Sequence, residues 1–325
     1  MAIRPIVSAI IAATWAILAI HPADAQSDAW PKQPIRLLIG FAAGGGNDLF
    51  GRLVAQRLSE KLGVPVVVEN KPGAGSIIAY EQTARAAPDG YTLVVAPFGA
   101  SIITPAVYAK LPYDPATAFQ PLSIVASFPF VMVISSTLPV NTVPDLVAYA
   151  KANPDKANYG TPSVTFQLLV EQFKARTGAP FEHIPFKSTA EVMTGILNGQ
   201  LMMSFVDPGP LVGHLKSGRV KALALSGSTR FAELPDIPTM AEVGFPGIEM
   251  DSFMGLMGPR GMPEPVVKRL EAELMAMARE PAFMEQVKHH GLVPTGSSAL
   301  EFAERVAREI PLWKAVAAKA NVKME

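Results

Sequence analysis

The chain has 325 residues, with 28 Lys and Arg against 28 Asp and Glu, 49% hydrophobic residues and 17% charged ones. A composition this apolar excludes a disordered chain, and zero formal charge supplies no long-range field to draw in nucleic acid or an acidic membrane. The absence of cysteine removes disulfides, thiol catalysis, iron–sulfur clusters and cysteine-ligated zinc together. No cofactor is expected.

In chain order, a single early cation, Arg4, precedes an apolar run that ends at the small-residue triplet Ala23-Asp24-Ala25. This pattern predicts a secretory signal over 1–25, cut between Ala25 and Gln26. The run falls slightly short of the about 20 apolar residues that span a bilayer, and a polar segment follows it, so cleavage is favoured over anchoring. No later run is long enough to cross a membrane, and the remaining chain is expected to be soluble and exported to the periplasm.

Residues 35–41 form a short apolar run, and after a glycine turn the spacing of Leu49, Phe50, Leu53, Val54, Leu58 and Leu62 predicts a helix over 47–62. Residues 64–68 read as a second strand, 79–87 as a helix and 91–96 as a third strand apolar on both faces. Strand and helix alternate, which argues an α/β class with a mainly parallel sheet. Residues 122–135 read as a strand broken at Pro129, passing from one domain to another. Helices are then predicted over 142–152, after Ser188, after Thr239, over 264–278 and over 298–320; Ser188-Thr189-Ala190-Glu191, Thr239-Met240-Ala241-Glu242 and Ser298-Ala299-Leu300-Glu301 each have capping-box form. Residues 220–225 and 248–258 are further extended segments. The layout is two α/β lobes, 26–125 plus 251–325 and 126–250, with the tail helices packed back on the first lobe. Ligands of such sheets bind at the carboxyl ends of strands, so a cleft between the lobes is expected.

Between the first strand and helix lies Phe41-Ala42-Ala43-Gly44-Gly45-Gly46-Asn47-Asp48. Glycines admit close backbone approach, and the helix start adds partial positive charge, so the loop suits a carboxylate or phosphate. A plain tight turn capped by Asn47 is the alternative, and geometry alone leaves the two near even. Asp48 could also occupy the same donors itself. A dinucleotide fingerprint fails because Leu49 stands where its third glycine belongs, and a phosphate-binding P-loop fails for want of Lys and Ser/Thr. Gly99-Ala100-Ser101-Ile102-Ile103 fails the nucleophile-elbow pattern at its last residue. Among the histidines, His183 reads as structural and the His289-His290 pair as a charged surface terminus; no metal-ligand spacing is present.

Several ordered motifs carry a resemblance. The N-terminal signal, Trp30-Pro31-Lys32-Gln33-Pro34-Ile35-Arg36, the glycine loop, Val67-Val68-Glu69-Asn70-Lys71-Pro72-Gly73-Ala74-Gly75, Ala87-Pro88-Asp89-Gly90-Tyr91-Thr92-Leu93, Leu111-Pro112-Tyr113-Asp114, His183-Ile184-Pro185-Phe186-Lys187, Leu234-Pro235-Asp236-Ile237-Pro238-Thr239 and Gly258-Pro259-Arg260-Gly261-Met262-Pro263 together resemble the Bug-type solute-binding proteins of tripartite tricarboxylate transporters. The resemblance implies a two-lobed periplasmic-binding-protein-like fold that closes on a small organic carboxylate, a di- or tricarboxylate or an aromatic acid, and delivers it to the membrane components of such a transporter. It places Ala43, Gly44, Gly45, Gly46 and Asn47 at one end of the ligand, with the carboxylate held by backbone N–H groups and ordered water. Phe98, Gly99 and Ser101 fall in the family's second loop of the first lobe. In the second lobe the segment after Tyr159 is shorter than is usual in the family, Val206 stands where an aspartate often does, and Ser188 replaces a glycine after Lys187. Thr161, Ser163, Thr165, Lys187 and Asp207 are the ligand-contact candidates there. Phe98, Phe166 and Phe253 lie in or beside these loops, either as core or as walls of a pocket for an aromatic carboxylate.

The expected function is therefore a carboxylate receptor acting as a monomer and without catalysis. A secreted α/β enzyme acting on a small carboxylate, and a ligand sensor that signals to a membrane kinase, are the alternatives.

Overall fold

The computed structural model describes residues 30–324; the proposed signal segment and its cleavage site lie outside them. Chain order begins with β1 (Ile35–Ile39), α1 (Gly46–Leu62), β2 (Val66–Asn70), α2 (Ile77–Ala84) and β3 (Thr92–Pro97). A π-helical turn (Gly99–Ile103) and the short α3 (Thr104–Val107) follow. Then come β4 (Phe119–Pro129), β5 (Val131–Ser135), α4 (Val143–Ala152), β6 (Asn158–Thr161), α5 (Val164–Thr177), β7 (Glu182–Pro185), α6 (Thr189–Leu197), β8 (Ser204–Val206), α7 (Pro208–Lys216) and β9 (Val220–Leu225). The last third holds β10 (Asp251–Pro259), α8 (Glu264–Met277), α9 (Pro281–His289), β11 (Val293–Pro294) and α10 (Ala299–Lys319).

Six strands form one sheet in the order β11-β4-β10-β3-β1-β2; three form a second, β8-β5-β9, and β6 pairs with β7. Parallel pairing occurs where a helix returns the chain, at β1–β2, β1–β3 and β6–β7. The strands next to the inter-sheet crossings pair antiparallel instead, β10 with β3 and β4, and β5 with β8 and β9. The class is α/β as the alternating pattern implies, but the sheets are more mixed than that pattern suggests. A strand that arrives from the other sheet has no crossover helix to turn it round.

Local expectations hold where a cap is spent on its helix. Thr142 and Ser298 form reciprocal capping boxes with Asp145 and Glu301, and Ser188 accepts from the Glu191 N–H. The Thr239 box also forms, with both bonds to Glu242, yet it closes only a turn. Gly244 and Gly247 at φ +94° and +84° and Pro246 end the helix before it starts. Four helices went unpredicted: the short α3, α5, whose first turn was read as loop, α7, and α9, which carries His289. Pro311 sits inside α10 without interrupting it. Among the described residues no helix is long and apolar enough to cross a membrane.

The tail closes the large sheet. Phe302 and Trp313 of α10 are buried, with Phe302 edge-on to Phe253 at 5.2 Å and Trp313 edge-on to Phe98 at 6.3 Å. Ser297 caps this docking by accepting from the Ile124 N–H and donating its backbone N–H to the Ile124 carbonyl.

The chain passes between the sheets at Pro129–Phe130 and again between Ser226 and Asp251. Both passages meet at Ser226, which is fully buried. Its hydroxyl accepts from the Phe130 N–H at 2.9 Å and donates to the Met250 carbonyl at 2.7 Å. Its N–H donates to the Phe130 carbonyl, and its carbonyl accepts from the Met250 N–H, both at 2.8 Å. Removing the hydroxyl in Ser226→Ala strands a buried donor and a buried acceptor, for an expected loss of about 2–3 kcal/mol. Urea unfolding of the variant beside the parent checks this; an unchanged midpoint would show that the hydroxyl is not needed there.

Candidate ligand-binding site

The carboxyl ends of β1 and β3, the end of β4 and the start of β10 converge on one side of the large sheet, facing the first turns of α5 and α7. Between them is a cavity of about 480 Å³, within the usual range for small-molecule sites. Its walls are apolar to an unusual degree, with Phe41, Phe128, Phe130, Phe166 and Phe253 around it. Phe130 and Phe166 face each other at 4.6 Å between ring centres. The polar lining is Asn47, Thr104, Ser163, Thr165, Asp207, Ser252 and His290. Among the described residues that line it there is no lysine or arginine.

Of the residues singled out from sequence, Phe41, Gly46, Asn47, Gly99, Ser163, Thr165, Phe166 and Asp207 line this cavity. The others are held elsewhere. Ala43, Gly44 and Gly45 are exposed on the outer side of the glycine loop. Asp48 is buried and fully engaged: its carboxylate accepts from the Gly44 N–H at 2.9 Å, from Arg52 at 3.0 Å and from the Asn70 amide at 2.8 Å. It braces the loop from behind and offers nothing to a ligand. Phe98 is core, packed on Phe253 and Trp313. Ser101 is buried on the Tyr80 hydroxyl at 2.7 Å, and Thr161 is buried on His183 Nε2 at 2.7 Å. That contact gives His183 the structural role read from sequence, and burial lowers its pKa. Lys187 is exposed and is not part of the lining.

Three helical starts supply the donors. The first turns of α1 (Gly46, Asn47), of the π-helical turn (Gly99, Ala100) and of α5 (Val164, Thr165, Phe166) all line the cavity. First-turn N–H groups have no acceptor within their own helix. Gly45 has no side chain to cap α1 and Ser163 makes no side-chain cap bond to α5, so the N–H groups of Gly46, Asn47, Val164 and Thr165 have no partner among the described residues. Such ends stabilise an anion without any cationic side chain.

Sequence reasoning missed Phe128, Phe130, Ser252, Met254, Pro208, Gly209 and the 290–292 segment. The phenylalanines flanking the Pro129 break were a usable signal, since a chain passing between lobes must border the cleft. His290 lay hidden because its helix was not recognised. At the cavity mouth Pro208-Gly209 meets His290-Gly291 so closely that a Cβ on Gly209 would lie 3.2 Å from the His290 carbonyl, and one on Gly291 would lie 2.9 Å from the Gly209 nitrogen.

The profile of the tripartite tricarboxylate transporter family receptor matches residues 50–322. The chain belongs to this family. A Cupriavidus necator relative, the UPF0065 protein in the gbd 5′ region, is 35% identical over 322 residues, covering 96% of this chain and 95% of its own length. An R. palustris structure with adipate superposes with a TM-score of 0.78 at 31% identity, covering 91% of this chain and 99% of that one. MatC from Rhodopseudomonas palustris with bound malate has a TM-score of 0.74 at 27% identity, covering 88% and 99%. The fold of this family receptor is thus the two-lobed periplasmic-binding-protein-like one.

Two outcomes follow from this geometry. Arg52 above all, with the Gly44 N–H and the Asn70 amide and against the effect of burial, holds the Asp48 carboxyl at about 2. Its folded value lies below the unfolded one of about 4, so the stabilisation is present above that pH and is lost as pH falls towards 2. Asp48→Asn should lower the melting temperature at pH 7 and flatten its decline between pH 5 and 2, as read by calorimetry across that range. Gly291→Ala combines a contact the mouth cannot absorb with a φ of +72°; ligand affinity should fall about tenfold. Titration calorimetry beside X-ray scattering checks this, because a gain in radius is expected with it.

Proposed function

We propose that this protein is a periplasmic receptor that captures a small organic carboxylate between its lobes and presents it to the membrane components of a tripartite tricarboxylate transporter. The observation that carries this reading is the convergence of three uncapped helical starts on one apolar cavity, a donor set suited to a carboxylate. Family relatives of similar length and fold that hold adipate and malate support it. The two lobes expected over 26–125 plus 251–325 and 126–250 are taken to part at Pro129–Phe130, since β4 stays in the large sheet as far as Pro129. Within the cavity Gly46, Asn47, Gly99, Ser163 and Thr165 hold the carboxylate, partly through water, and Phe41 and Phe166 flank its apolar body.

The protein acts as a monomer and without chemistry on its ligand. Closure is driven only by a ligand that touches both lobes, here Gly46 and Gly99 on one side and Thr165 on the other. Release of a leading segment at Ala25/Gln26 leaves it in the periplasm.

A thermal-shift screen of the purified protein against aliphatic, aromatic and amino-bearing carboxylic acids tests this. At one hundred times Kd a ligand adds about 2.7 kcal/mol of stability, and product analysis of the same mixtures should find the acid unchanged. Phe166→Ala should weaken binding of the best hit by about 2 kcal/mol, as expected for a buried aromatic contact. No shift with any acid, from protein stripped of ligand, would defeat the carboxylate reading, and turnover of the acid would favour the enzyme.

A further inference from the structure

Asp207 lines the cavity with a carboxylate that its own helix does not use as a cap. It stands at the N-cap of α7, a position whose carboxylate ordinarily accepts from the second or third N–H of the helix. Here the helix opens Pro208-Gly209-Pro210, so two of its first three residues have no N–H to give. Asp207 accordingly makes no side-chain cap bond. Ser188, Thr142 and Ser298, at the same position of their helices, are all consumed by capping.

No cationic side chain compensates it. Burial raises its carboxyl to about 6, and no lysine or arginine is among the described lining residues. A second acceptor of the lining stands without a donor: the side-chain oxygen of Asn47 is buried and unpartnered. A buried acceptor without a donor is costly, and the cost is recovered only when a ligand brings one.

The charge arithmetic of the cleft follows. A dicarboxylate or tricarboxylate would add two or three negative charges to a cavity whose described lining already holds the Asp207 carboxylate, with one histidine, His290, and no lysine or arginine. Helical starts can offset about half a charge each, enough for one carboxylate. A ligand carrying one carboxylate and one ammonium adds no net charge and supplies the missing donors.

We propose that Asp207 is a specificity-determining residue of this receptor, and that it selects an ammonium-bearing carboxylate with an apolar, aryl-sized body over di- and tricarboxylates. The carboxylate takes the N–H groups of α1 and α5, the five phenylalanines enclose the body, and the ammonium pairs with Asp207. The inference rests on the carboxylate-receptor reading above and narrows it.

The experiment is titration calorimetry of the purified protein, parent and Asp207→Asn, with matched probes. L-Phenylalanine is paired with 3-phenylpropanoate, and 4-(aminomethyl)benzoate with 4-methylbenzoate, so that each pair differs in the ammonium; adipate is the dicarboxylate. In the parent, at least one ammonium-bearing acid should bind about tenfold or more tightly than its partner and than adipate, as expected for a charge-assisted hydrogen bond. In Asp207→Asn that advantage should vanish while the ammonium-free acid binds within about threefold of the parent. Should that variant misfold, the parent's ratios still decide. Equal or tighter binding of the ammonium-free acids or of adipate overturns the proposal and leaves the carboxylate receptor standing. An advantage that survives in Asp207→Asn overturns the role of Asp207. Binding of none of the five probes defeats the proposal, and a silent wider acid screen would then defeat the receptor reading as well.

Discussion

Everything that the cleft does depends on how two passages of chain are held together at Ser226. One hydroxyl joins the strand leaving the large sheet at Phe130 to the strand returning to it at Met250, by accepting from one backbone and donating to the other. Full burial makes these bonds hard to exchange for water. Around them the backbone bonds of Ser226 to the same two residues repeat the pairing. Just beyond, Asp251 receives the N–H and hydroxyl of Ser228 through its side chain and an Arg305 N–H through its carbonyl. The tail helix α10 is thereby tied to the second passage. These bonds fix the two passages beside each other, and the same passages carry Phe128, Phe130 and Ser252 into the cavity lining.

On that frame the cleft is built from helix starts, and what distinguishes them is whether the cap is spent. At α1 the N-cap is a glycine, and the first-turn carboxylate of Asp48 is bound by Arg52, Gly44 and Asn70, which stiffens the glycine loop and leaves the Gly46 and Asn47 N–H groups for something else. At α5 the cap is simply absent, and the first-turn N–H groups stay available. At α7 two prolines reverse the polarity of the site, since the helix start offers few donors and its cap residue remains an acceptor. Free donors and a free acceptor in one cavity thus come from the same local motif with different occupants. Five phenylalanines between them lower the local polarity.

Much of this was legible in the residues themselves. Periodicity and capping patterns located α1, α4, α8 and α10 to within a few residues because those signals are local: an apolar face, a cap and a stop lie within one short window. The glycine loop was recognisable for the same reason, as a turn that follows a buried strand, whereas the segment around Phe98, Gly99 and Ser101 was singled out only by the family resemblance and forms a π-helical turn. Where the reading failed, a local pattern had two uses. Ser101 and Thr161 looked like free hydroxyls beside the cleft, yet Tyr80 and His183, 21 and 22 residues away in the chain, had already engaged them. Lys187 lay in a recognisable motif but faces solvent. His290 was read as a surface terminus because the helix it ends, α9, was not seen.

Sequence alone determined the α/β class, the caps, the glycine turns, the absence of thiol chemistry and the family pattern, since each is set by residue type over a few neighbouring positions. It also contained Asp207-Pro208-Gly209-Pro210, in which proline chemistry leaves Gly209 as the one first-turn N–H that a cap could take. Tertiary structure decided which polar groups remain unspent and which aromatic rings border the cavity rather than fill the core. Those outcomes depend on partners distant in the chain, such as Ser226 between Phe130 and Met250, or Phe166 against Phe130. Pairings of that kind carry no periodic trace in sequence, because the residues are brought together by the packing of whole elements and not by the propensity of any one of them.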